Sequence, residues 1–125
     1  MPTKEDVYKA FGEAMYAVAM ADGEVQQEEI ERFNKIIEKH KFADKIKWSF
    51  YEEQENNTPL KISLEKALST LSAFGPFEDY PFLFNALEEI AEAFEGIIKE
   101  ERLLIDNFRK ELHQRFRNDL RFSGY

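Results

Sequence analysis

The chain has no cysteine. Disulfides, thiolate metal sites and cysteine nucleophiles are therefore all excluded. Glycine is scarce, with five scattered residues and no Walker-type spacing, so no glycine-rich loop is present to cradle a phosphate. No window approaches the roughly 18 consecutive apolar residues that a membrane helix requires. The opening residues, Met1 to Asp6, are charged and lack the apolar core of a secretory signal, which gives the cytoplasm as the expected location. Positive charge is also short: 17 Lys and Arg stand against 25 Asp and Glu, a net charge of −8. A field of that sign argues against nucleic-acid binding and permits cations or basic partners.

What is present is bulky apolar material. Twelve Phe, five Tyr and one Trp in 125 residues can fill one core, so the chain reads as a single domain over 1–125. The apolar residues recur at helical spacing. Phe11, Ala14, Met15, Val18 and Ala21 mark a first helix, capped by Thr3 with Asp6 and running to about Ala21. Ile30, Phe33, Ile36 and Ile37 mark a second, from about Gln26 to His40. Ala43 to Gln54 reads as a short helix burying Ile46, Phe50 and Tyr51. The alternation Ile46, Trp48, Phe50 also fits a strand, but no partner strand exists. After the loop Glu55 to Pro59, Ser63 is the expected cap of a helix stopped by Gly75-Pro76. Asp79 and Pro81 open the next helix, Glu95-Gly96 breaks it, and Leu104, Ile105, Phe108, Leu112 and Phe116 mark the last. The tail from Phe122 to Tyr125 is expected to fray. The class is all-α: a compact bundle of six to seven helices.

One stretch stands out. Ala19 to Ile30 joins two helices through the acidic turn Asp22-Gly23, with Glu28 and Glu29 in the first turn of the next helix, where the dipole favours carboxylates. The pattern returns 73 residues later: Gly23 falls on Gly96, Asp22 on Glu95, Glu28 on Glu101, Phe11 on Phe84. The register is then lost, because Phe33 meets Asp106. Two helix-turn-helix halves sharing a core are expected.

The pattern Ala-x-Ala-Asp-Gly-x-Val-x-x-x-Glu over Ala19 to Glu29, with its worn second copy over Ala91 to Glu101, resembles the TerB-like family. That family includes tellurite-resistance TerB proteins and the N-terminal region of DjlA-type co-chaperones. The resemblance implies a bundle of about seven helices. It also implies a divalent-metal site at Asp22, Glu28 and Glu29 in the first copy and at Glu95 and Glu101 in the second. Glu95 departs from the family, where an Asp is usual.

An EF-hand does not fit. With Gly23 at loop position 6, Val18 and Met20 would occupy ligand positions. A looser oxygen site for calcium or magnesium is the remaining metal candidate, with Glu24 and Glu28 four apart on one helix face and Glu101 approaching Glu28 if the halves pack symmetrically. The alternative is that these carboxylates serve only the helix dipole and solubility. His40 and His113 are isolated and read as surface residues, with no triad in view.

Charge is uneven along the second half. Nine acidic residues between Glu78 and Asp106 are followed by Arg109, Lys110, Arg115, Arg117 and Arg121. The bland reading is solvated helix faces, and the sharper one is a basic end that docks an acidic partner. Trp48 and Phe77, from two aromatic runs, are candidates for a partner groove, with ordinary core packing as the alternative. The expected function is a non-enzymatic TerB-like stress-response module that binds a partner protein, with a divalent cation at the acidic turns. By the resemblance its setting is tellurite or general stress, near the membrane face without insertion. The competing readings are a metal-dependent hydrolase at the acidic cluster and a structural homodimerisation domain.

Overall fold

The computed structural model describes residues 1–122 and contains, among them, six helices and no strand. The helices are α1 (Lys4–Ala19), α2 (Gln27–Ile37), α3 (Ala43–Glu55), α4 (Leu60–Phe74), α5 (Tyr80–Glu92) and α6 (Lys99–Phe122). The all-α expectation holds. The fraying expected of the tail falls mostly on residues 123–125, outside the described ones.

The bundle is built around α1. Its N-terminus is fixed by the expected capping box: the Asp6 N–H donates to Thr3 Oγ1 at 3.2 Å, and the Thr3 N–H donates to Asp6 Oδ2 at 2.9 Å. Eleven of its sixteen residues are buried, because α3, α4, α5 and α6 all pack on it. From Ala10 to Ala19 every residue but Glu13 is buried, so this part of the helix is apolar or small on nearly all sides. Gly12 marks its closest approach to a neighbour: a Cβ there would overlap Ser49 Oγ and the Ile46 carbonyl of α3.

The helix α1 ends at Ala19, two residues before the expected limit. The Met20 N–H reaches the Tyr16 carbonyl at 2.9 Å, and the Gly23 N–H then reaches the Met20 carbonyl at 2.9 Å. Gly23, at φ 105°, carries the chain round. The Ala43 to Gln54 segment is helical. Its inward residues Ile46, Ser49, Phe50 and Glu53 follow helical spacing, while Trp48 is 56% exposed. Phe50 stacks on Phe33 of α2 with ring centroids 4.0 Å apart.

Ser63 is not a cap. Pro59 occupies the N-cap of α4, and Ser63 lies one turn inside, fully buried, donating to the Glu53 carboxylate. Lys66 reaches that same carboxylate and also Glu13, 3.3 Å away on α1. Burial pushes Glu53 up, but the hydrogen bonds from Lys66, Ser63 and Thr58 outweigh it and hold the carboxyl below its ordinary range. One lysine thus joins α1, α3 and α4.

Candidate functional site at the meeting of two acidic turns

Glu29 lies in the first turn of α2 and is 1% exposed. Its Oε1 turns back to accept the Gln26 N–H at 2.7 Å. Glu101 lies in the first turn of α6 and is 4% exposed. Its Oε1 accepts the Ile98 N–H at 2.9 Å. Each carboxylate satisfies an orphan donor at a helix start and sits where the dipole favours it. Burial of both against the core is what distinguishes them from the surface carboxylates around them.

The two are electrostatically joined through Asp22. Burial raises the Glu29 carboxyl to about 7, assisted by the charges of Asp22, Glu101 and Glu28 and opposed by the Gln26 N–H. Burial also raises Glu101, assisted by Asp22 and Glu100 and opposed by the Ile98 N–H. Among the described residues, no basic side chain contributes to either shift. Three carboxylates from the α1–α2 turn, α2 and α6 therefore share one region. Two are desolvated, and the third is exposed, held in its turn as the acceptor of the Glu24 N–H at 3.3 Å.

Sequence spacing pairs Glu101 with Glu28, whereas the charge of Glu101 acts on the buried Glu29. Glu28 is exposed. Glu29 and Glu101 are 72 positions apart, whereas Gly23 and Gly96 are 73 apart, so the second turn is one residue shorter. With that residue removed, Val25 falls on Ile97, both packed against the core, and Phe33 falls on Ile105, both fully buried. Glu24 is exposed and accepts from Gln26 Nε2 at 3.3 Å. Glu95 is exposed at φ 57°, a left-handed conformation that the first turn does not share at Asp22.

All-oxygen donors at this junction suit a hard divalent cation such as calcium or magnesium. Among the described residues, however, no three His, Asp or Glu side chains are gathered into a ready ligand set. What the junction offers is coupled negative charge in a desolvated setting, which a proton or a cation would relieve.

His40 is not the surface residue its sequence context indicated. It is largely buried, with its Nδ1 accepting the Phe42 N–H at 2.9 Å and its Nε2 facing Asp79 Oδ2 at 3.0 Å. The Tyr8 hydroxyl donates to the same Asp79 oxygen at 2.7 Å. Burial and the Asp79 carboxylate push the Tyr8 hydroxyl well above its ordinary value. Both imidazole nitrogens are engaged, so the group is a joint between α1, the α2–α3 turn and the α4–α5 turn, with no nitrogen left for base catalysis. The partner, 39 positions away, gave no local signal. His113 is exposed, as expected.

The expected partner-binding residues do not all gather on one surface. Trp48 is exposed on α3 with the Lys9 ammonium 5.1 Å from its ring. Phe77 is half-buried among Tyr8, Phe74 and Tyr80. Arg115 is tied to Glu65 of α4 at 3.1 Å and to Glu111 at 3.2 Å. Arg109 lies over the Phe84 ring at 4.7 Å, and Arg117 is exposed. No helix among the described residues is long and apolar enough to cross a membrane. Compared with models of known families, with curated proteins and with solved structures, the chain matches none.

Proposed function

We propose that this protein is a non-enzymatic, TerB-like binding module of the cytoplasm, acting in a stress-response setting. In this reading it docks a partner protein, and a divalent cation or a proton at the Asp22, Glu29 and Glu101 junction sets its stability. The observation that supports the reading is the burial of two carboxylates, Glu29 and Glu101, both facing the charge of Asp22, with no basic side chain among the described residues contributing to either. Buried like charges are destabilising unless one takes a proton or a counter-ion shields them. Nothing in the core requires charge at these two places, since a glutamine could accept the same backbone N–H groups. Binding rather than turnover is favoured because His40 has both nitrogens engaged and His113 stands apart from any carboxylate hydrogen bond among the described residues.

Calorimetric titration with calcium, magnesium and manganese tests this reading at a pH about one unit above 7, where Glu29 is ionised. Saturable heat is expected, together with a rise in melting temperature, because a ligand of the native state stabilises it. Both are expected to vanish in Glu29→Gln and to weaken in Asp22→Ala. Absence of heat and of any thermal shift with all three ions would remove the cation from the function.

A further inference from the structure

A groove of about 390 Å³ runs between α5 and α6. Tyr80, Phe84 and Phe116 line it as half-buried rings, with the buried Leu112 beside them, and Arg109 lies over Phe84. A recess of about 260 Å³, lined by Lys110, His113, Gln114 and Arg117, adjoins it through their shared residue His113. Among the described residues, no Asp or Glu lines either one. Arg109, Lys110 and Arg117 make no ion pair among the described residues, in a chain whose net charge is −8. The other α6 arginines in view are spent: Arg102 is held by Glu88 at 2.8 Å, and Arg115 by Glu65 and Glu111. Aromatic surface flanked by unspent cations is thus concentrated in one place.

We infer that this groove is the docking site for an acidic peptide segment of a partner protein, one that seats an apolar side chain against Phe84 and Phe116 and sets flanking carboxylates on Arg109, Lys110 and Arg117. The inference rests on the partner-binding reading above and names the kind of partner. The chemistry fits on both counts. A half-buried aromatic floor takes a single apolar anchor, and arginine forks match carboxylates. Charge complementarity adds steering over a short range. The protein's overall negative field disfavours a long polyanion such as a nucleic acid, while a short acidic segment meets the local positive potential first.

The test is selection of a random dodecapeptide display library on the immobilised full chain. The recovered peptides are then labelled with fluorescein for anisotropy against wild type, Lys110→Glu/Arg117→Glu and Lys39→Glu/Lys99→Glu. The three substituted lysines and the one arginine are exposed, so each variant is expected to fold, and the second pair reproduces the charge change away from the groove. Recovered peptides should carry Phe, Leu or Trp flanked by Asp or Glu. Their affinity should fall about tenfold or more, equivalent to 1.4 kcal/mol, in the groove variant and less than half as far on a logarithmic scale in the control. Peptides that bind all three proteins alike would overturn the groove and leave partner binding intact. Recovery of no peptide, or of none with acidic residues, would also overturn it. So would an equally tight single-stranded oligonucleotide, or a self-associated chain that the groove variant dissociates, since a second copy would then be the occupant.

Discussion

Replacing Glu29 with glutamine removes one charge and preserves both shape and the hydrogen bond from the Gln26 N–H, 2.7 Å away. The folded chain holds the Glu29 proton up to about pH 7, whereas an ordinary glutamate releases it near 4.5. Between those values the folded state binds more protons than the unfolded one, so stability falls as pH rises through the window and levels off above it. At 1.36 kcal/mol for each pKa unit, the full penalty on ionised Glu29 is about 3 kcal/mol. Solvent close to this helix start makes that an upper figure. Glu29→Gln should therefore match wild type near pH 4 and exceed it by up to about 3 kcal/mol near pH 8, a rise of up to roughly 10 °C in Tm for a domain of this size. Urea unfolding at a series of pH values measures this directly. Glu101 and Glu13, both also raised by burial, slope in the same direction and remain in both proteins. Parallel curves for the two proteins, or a variant less stable near pH 8, would refute the buried-charge argument.

Gly12→Ala should destabilise the fold by about 2 kcal/mol: overpacking against the α3 backbone costs up to about 3, and the better helix propensity of alanine returns about 1. Urea unfolding should show it, and a neutral result would mean that α1 and α3 can separate without loss. Lys66→Met strips the cation from Glu53 and Glu13 and should cost about 2 kcal/mol, less than a fully buried pair because the lysine side chain is 48% exposed. Adding Glu53→Gln should recover part of that loss, and a double variant worse than the sum of the two singles would contradict the pairing.

Much of the architecture is written locally. The Thr3–Asp6 box, the glycines at positive φ and the inward spacing of Ile46 and Phe50 each follow from residues within a turn or two of one another. The misreadings share a different cause. Ser63 looks like a cap until Glu53, ten residues earlier, claims its hydroxyl. His40 looks isolated until the α4–α5 turn delivers Asp79. Glu28 looks equivalent to Glu101 because matching glycines hide a turn one residue shorter. Of the six carboxylates expected at the site, Asp22, Glu29 and Glu101 are coupled by charge, while Glu24 and Glu95 contribute to neither raised carboxyl and Glu28 acts on Glu29 from the surface. Chemistry that depends on which side chain turns inward at a helix start is decided by a single residue of register, and loop length is the feature that amphipathic spacing determines least.

The junction of the two acidic turns is tested most directly by following the side-chain carboxyl carbon of Glu29 through a pH titration by NMR, with Glu29→Gln used to assign the signal. A midpoint near 7, moving lower when Glu101→Gln removes one of the neighbouring charges, is the expected result. A midpoint near 4.5 with no response to Glu101→Gln would mean that the carboxylates are neither desolvated nor coupled, and would leave them as ordinary helix starts.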